Sequence, residues 1–192
     1  MGKTIVLLLG PKHSGKTSAA RALAESLRCR CVDLDALIEK RTGKKPRALY
    51  REGVDAFRRA EAEALSGALR ELRADGSALC TIVSTGGGII DNGEAVSVIK
   101  ALKPQGNSEQ SVIAVFLEVS AKTAWSRICR SVEAGEELPP FLQTETPEET
   151  HRLLHERRNS AYKELASFAV MAENKTEKSI AAEIVRKGCF CG

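Results

Sequence analysis

One stretch constrains this chain more than any other: the apolar run TIVLLL at 4–9, the loop GPKHSGKT at 10–17, and the helix-like ARALAESLR that follows. An unbroken apolar run suits a strand covered on both faces, because a strand with one wet face would alternate. The loop matches G-x-x-x-x-G-K-[ST] in full, in the strand–loop–helix setting that the motif needs. Gly10 and Gly15 let backbone N–H groups curl around an anion with no Cβ in the way. The N-terminus of the next helix adds partial positive charge. Ser14, Gly15, Lys16, Thr17 and Ser18 then form a candidate nucleotide site, with Lys16 reaching the β- and γ-phosphates and the Thr17 hydroxyl ligating Mg²⁺.

The same kind of apolar run recurs at 31–34, 79–84, 112–118 and, more weakly, 166–171. Helical patterns separate them at 15–27, 36–42, 54–74, 93–102, 121–130, 147–165 and 176–187. Strands alternating with helices predict an α/β three-layer sandwich around a parallel five-stranded sheet with right-handed crossovers. At 192 residues, with no repeat and no linker between cores, the reading is one domain over 1–192. The segment EAGEELPPFLQTETPEE at 133–149 is polar, proline-bearing and aperiodic, which suits a lid spanning about 131–149. PQGNSEQ at 104–110 reads as a surface turn.

Composition narrows the function classes. The net charge of +4 comes from 29 basic and 25 acidic residues that are interspersed, and aromatics are only 4%. No basic block interleaved with aromatics is present, so nucleic acid is not expected as a partner. No apolar stretch approaches the roughly 20 residues of a membrane span, and MGKTIVLLLG reads as the first buried strand rather than a signal segment. A cytoplasmic monomer is expected. The six cysteines include C-x-C pairs at Cys29/Cys31 and Cys189/Cys191, which lack the usual zinc spacing; reduced thiols are expected, with Cys80 and Cys129 in the core.

Two further motifs carry chemistry. In CVDLDALIEKRTG, Asp33 and Asp35 lie just past a short strand, at the carboxyl edge of a parallel sheet where ligands bind. One can hold Mg²⁺ and the other can take a proton from an attacking hydroxyl; Asp35 could equally N-cap the helix expected from Ala36. In VSTGGGII, Gly86, Gly87 and Gly88 end an apolar strand, where they allow the backbone to approach a ligand closely. Arg58 and Glu61 share a helix face at i,i+3, a pair that alone has the minor value of any surface ion pair.

Taken together, GPKHSGKT, DLDALIEKRTGK, FRRAEAEAL, STGGGII, VFLEVS and PPFLQTETPEETHRLLHERRNSAY resemble the shikimate kinase family in order and spacing from residue 4 to about 170. The resemblance implies a P-loop kinase that uses ATP and Mg²⁺ to phosphorylate the 3-hydroxyl of shikimate, in the route to aromatic amino acids. It implies Mg²⁺ ligation by Asp33, and hydroxyl binding with a candidate base role for Asp35. It implies a grip on the substrate carboxylate by Arg58, with Glu61 orienting it, and by Arg158, one residue from Arg157. It further implies backbone contacts to shikimate from Gly86 to Gly88 and an adenine-flanking role for Arg127. Two arginines on one carboxylate make physical sense, since guanidinium forks bind carboxylates strongly and directionally.

The chain departs from the family pattern at the lid. Where the family reads RPLL, this chain reads PPFL, so the lid arginine position is Pro139. Between Arg130 and Arg152 there is no Lys or Arg, while Glu133, Glu136 and Glu137 make the segment acidic. An arginine finger can contribute ~10³–10⁵ in rate, so a slow enzyme is one expectation, with Arg127 or Arg130 as substitutes. Val54 replaces a family glutamate, a change expected to act on local structure. The alternatives are a kinase for another small hydroxy acid such as gluconate, and a nucleotide-binding relative with weak transfer or none.

Overall fold

The computed structural model describes residues 3–74, 80–102 and 110–188. The tail that carries Cys189 and Cys191 lies outside them, as does the turn expected at 104–110 apart from Gln110. Five strands form one parallel sheet: β1 (Lys3–Leu9), β2 (Arg30–Asp33), β3 (Cys80–Ser84), β4 (Gln110–Glu118) and β5 (Phe168–Met171). Their spatial order is β2-β3-β1-β4-β5. Helices α1 (Lys16–Ser26), α2 (Leu34–Thr42), α3 (Pro46–Glu52), α4 (Val54–Ala74), α5 (Gly93–Ala101), α6 (Ala121–Glu133), α7 (Pro147–Leu165) and α8 (Glu177–Gly188) connect and cover it. The three-layer α/β architecture is the one expected.

The apolar run of β1 is explained by the strand's period of two. Leu7 and Leu9 pack on one face with Leu65 of α4, Ile99 of α5 and Tyr162 of α7. Val6 and Leu8 pack on the other with Leu23 of α1, Ala124 of α6 and Ile184 of α8. All four strand residues are fully buried, so each side chain contributes about 1.5–3 kcal/mol by leaving water, an upper estimate for an extended unfolded chain.

The order of the strands also sets the site. The connection leaving β1 runs through α1 toward β2, whereas the one leaving β3 runs through α5 across to β4. These helices lie on opposite faces, which opens a crevice at the carboxyl ends of the adjacent strands β1 and β3. Leu8 pairs in register with Ser84, and Thr85 closes the junction, donating to the Leu8 carbonyl from its N–H (3.2 Å) and its hydroxyl (2.9 Å). The loop after β1 and the triple glycine after β3 thereby emerge side by side.

Three details differ from the sequence reading. Helix α3 was not expected; Pro46 at its first turn presets φ, and only Leu49 is buried. Helix α2 begins at Leu34 and is capped by Asp33, not Asp35: Asp33 Oδ1 accepts from the N–H groups of Asp35 (3.0 Å) and Ala36 (3.2 Å). Cys80 and Cys129 are free thiols as expected, yet both are only partly buried, Cys80 at the margin of the α1/α8 core beside Cys29.

Candidate active site

The phosphate loop closes tightly on itself. Gly10 (φ +146°) passes so near β4 that a Cβ would lie 2.7 Å from the Leu117 carbonyl oxygen, and Gly15 (φ +93°) turns the chain into α1. Lys16 Nζ donates to the carbonyls of Gly10 (2.9 Å) and Pro11 (2.8 Å). Burial pushes its pKa down to about 8, against the opposing pull of Asp35 and Asp33. Ser14 Oγ is buried without a hydrogen-bond partner, an orphaned donor inside the loop that an anionic ligand would satisfy. Thr17 and Ser18 are exposed on the first turn of α1. From α6, Arg127 Nη1 reaches the His13 carbonyl (2.8 Å), so this arginine stands against the outer side of the loop.

Oxygen donors gather beside it. Thr17 Oγ1 donates to Asp33 Oδ2 (3.1 Å) and lies 3.4 Å from Ser84 Oγ. Asp33 therefore uses one carboxylate oxygen to cap α2 and turns the other toward the loop. A hydroxyl and a carboxylate oxygen, with room left for phosphate and water, are the hard donors that Mg²⁺ takes. Asp35 sits in the first turn of α2 on the cavity side. Its pKa is raised, by burial first and by Asp33 second, with Lys16 and Lys12 opposing. A carboxylate made more basic in this way is suited to accept a proton.

Beyond Asp35 opens a cavity of about 190 Å³, bordered by Lys12, Arg58, Glu61, Gly87, Pro139 and Arg158 among others. Glu61 is 1% exposed on the inner face of α4. Its Oε2 accepts from Asn92 Nδ2 (3.0 Å), while Oε1 has no partner among the described residues. Burial raises its pKa to about 7. Asn92 Nδ2 also donates to the Arg58 backbone carbonyl (2.7 Å), and its Oδ1 caps α5 at Ala95 N–H (3.2 Å). Glu61 thus bears on Arg58 through Asn92 and the helix backbone rather than by an ion pair. The Arg58 guanidinium is exposed at the cavity edge.

Space disfavours a side chain at Gly86 and Gly87, though not at Gly88. A Cβ on Gly86 would fall 2.9 Å from Glu61 Oε1 and 3.2 Å from Asp35 Oδ1; one on Gly87 would fall 2.6 Å from the Lys12 nitrogen. The Gly87 carbonyl accepts from Tyr162 Oη (2.9 Å) and Arg158 Nη1 (3.3 Å). A Cβ on Gly88 would meet Arg158 Nη2 at 3.5 Å. Arg158, 11% exposed in its side chain, lines the cavity and lies over the Phe141 ring at 5.3 Å. Arg157, 64% exposed, approaches from outside, and both arginines end on Asp91.

Residues 134–146 pass between α6 and α7 as an irregular segment with one 3₁₀ turn at Pro140–Leu142. Pro139, Pro140 and Phe141 border the cavity. Phe141 packs edge-on to Tyr50 of α3, and Arg47 Nη2 donates to the Glu137 carbonyl (2.8 Å). Arg47 and Arg51 both reach the Glu137 carboxylate. Sequence reasoning missed Lys12, Arg47, Asp91 and Asn92. Only Lys12, a second cation inside the phosphate-loop motif, offered a local signal.

Comparison with known proteins agrees with this geometry. The shikimate kinase family model matches residues 12–188. The chain belongs to the shikimate kinase family. It is similar to the shikimate kinases of Corynebacterium efficiens (34% identical over 186 residues, 96% of each chain) and Corynebacterium diphtheriae (33% over 184 residues, 95% of this chain and 93% of the other). A solved shikimate kinase from Acinetobacter baumannii in complex with shikimate superposes with a TM-score of 0.78 at 27% identity, covering 98% of this chain and 94% of that one. A deoxyadenosine kinase from M. mycoides, at TM-score 0.58 and 17% identity over 97% of this chain and 100% of that one, shares the P-loop kinase fold. Among the described residues, no helix is long and apolar enough to cross a membrane.

Proposed function

We propose that this chain transfers the γ-phosphoryl group of ATP to the 3-hydroxyl of shikimate, giving shikimate 3-phosphate and ADP. The observation that carries the reading is the cavity itself, which joins a carboxylate of raised pKa, Asp35, to two arginines, Arg58 and Arg158, beside a complete phosphate loop. One cavity thus suits an acceptor that carries both hydroxyls and a carboxylate.

Each residue has a role in that reaction. Lys16, released from the carbonyls of Gly10 and Pro11, balances charge on the phosphates. Ser14, Gly15 and Ser18 hold the phosphates with hydroxyl and amide donors, and Arg127 flanks the base. Thr17 and Asp33 would hold Mg²⁺, which when bound neutralises phosphate charge. Arg58 and Arg158 take the acceptor carboxylate, and Gly86 to Gly88 bring the backbone against the ring. Asp35 accepts the hydroxyl proton as the new P–O bond forms and the bond to the ADP oxygen breaks. The lid, about 131–149 with its irregular part at 134–146, excludes water. The protein works as a cytoplasmic monomer, one domain over 1–192, with no nucleic-acid or membrane partner.

The test is ADP release from Mg-ATP with shikimate, with gluconate and with no acceptor. Release that depends on shikimate is expected. Release with gluconate alone reassigns the substrate, and ATP binding without acceptor-dependent release overturns the reading.

A further inference from the structure

The phosphate loop carries a second lysine. Lys12 borders the acceptor cavity with Asp35, Gly87 and Pro139, and the adjoining recess with Asp33 and Arg47. Its backbone is fixed, because Gly87 packs on it closely enough that any side chain at Gly87 would collide with the Lys12 nitrogen. Four other cations near it already have partners: Arg47 and Arg51 on Glu137, Arg158 on Asp91 and Gly87, and Lys16 on the loop carbonyls, while Arg58 stands exposed at the cavity edge. The Lys12 ammonium, partly buried, has no hydrogen bond or ion pair among the described residues. It feels Asp35 and Glu136 as attractive charges and Arg47 as a repulsive one.

What covers this end of the cavity supplies no positive charge. From 131 to 151 the chain has no Lys or Arg, and it brings Glu136 and Glu137 toward the loop and α3. In-line phosphoryl transfer is catalysed mainly by positioning and by cations around the transferring group. A loop lysine with a fixed backbone and a free ammonium, beside the carboxylate that receives the proton, meets that need. We infer that Lys12 is a catalytic residue that stabilises charge on the phosphoryl group in flight, working with Lys16 where the overlying segment offers no cation. The inference rests on the proposed kinase activity.

The experiment compares wild type with Lys12→Met, Lys12→Arg and Lys12→Met combined with Pro139→Arg, measuring kcat, KM for shikimate and equilibrium binding of ATP. Lys12→Met is expected to lower kcat about 100-fold, the range found for removing one charge-stabilising donor. ATP binding and KM are expected to stay within about threefold. Lys12→Arg should keep most of the rate, and Pro139→Arg should return at least about tenfold to the Met variant, because a cation delivered from the lid replaces the missing one. The inference is overturned if Lys12→Met turns over within twofold of wild type, if its loss lies in KM alone, or if neither cation restores kcat. A wild-type chain that binds ATP but shows no shikimate-dependent release overturns the functional reading, and this one with it.

Discussion

Arg158 donates to a single oxygen of Asp91 from both Nε (2.9 Å) and Nη2 (2.6 Å), and from Nη1 to the Gly87 carbonyl (3.3 Å). Of its five N–H groups, one on Nη1 and one on Nη2 remain without a partner among the described residues. Guanidinium N–H groups of this kind bind carboxylates strongly. Asp91 therefore fixes the guanidinium without consuming all its donors, and Arg157 holds Asp91's other oxygen at 2.8 Å from outside.

Removing Asp91 is expected to release Arg158 and weaken acceptor binding. A charge-assisted hydrogen bond contributes about 1.5–3 kcal/mol, and 1.4 kcal/mol is tenfold in affinity. Asp91→Ala should raise KM for shikimate about tenfold or more and leave kcat within about threefold. A tighter KM in steady-state kinetics would show instead that Asp91 competes with the substrate for the fork.

Lys16 and Arg58 should separate rate from binding. Lys16 is buried at the heart of the loop, so Lys16→Ala is expected to abolish measurable turnover, a loss of about 10³-fold or more. Arg58 sits exposed at the acceptor end, where solvent screens part of its charge, so Arg58→Ala should raise KM about tenfold with a small change in kcat. Equal losses in kcat for both variants would contradict the division of the cavity into donor and acceptor ends.

Much of this architecture was legible in the sequence because its strands are buried on both faces. The runs that form β1 and β4 have no periodicity to misread, and the phosphate-loop motif fixes where β1 ends. PRALYRE, which forms α3, buries only Leu49 and is too short to show a helical period. Asp91 meets Arg158 across 67 residues of chain, and no spacing argument reaches that far. Glu61 illustrates a different limit. Its i,i+3 relation to Arg58 reads as an exposed pair, whereas the inner face of α4 buries it and Asn92 takes its carboxylate.

That burial has a thermodynamic consequence. Glu61 titrates near 7 in the fold, against an ordinary value of 4.5. Below pH 4.5 the side chain is protonated whether the protein is folded or not, and its contribution to stability is fully present. As pH rises toward 7 the unfolded chain ionises first, so that contribution is lost, by ~3 kcal/mol once the folded pKa is passed. Glu61→Gln cannot ionise and can still accept from Asn92. In thermal melts the variant should match wild type near pH 4 and exceed it at pH 8, with acceptor turnover reduced. A difference in Tm that does not grow between these two pH values would remove burial of the carboxyl as its cause.

The proposed lid is held to α3 by charge that water can reach. Glu137 is 59% exposed in its side chain, its carboxylate meets Arg47 and Arg51, and its backbone carbonyl accepts from Arg47. Exposed pairs of this kind are weak individually and are screened within about 10 Å at 0.1 M salt. Glu137→Ala should leave the fold intact and loosen closure, while Phe141 against Tyr50 keeps the lid near its place. Two measurements follow. KM for shikimate should rise a few-fold, and ATP hydrolysis without acceptor should increase relative to transfer, because water enters a cavity that closes less often. Raising ionic strength should move wild type toward the variant and leave the variant nearly unchanged. If salt weakens both equally, the clamp is not electrostatic, and Phe141→Ala becomes the substitution that opens the lid.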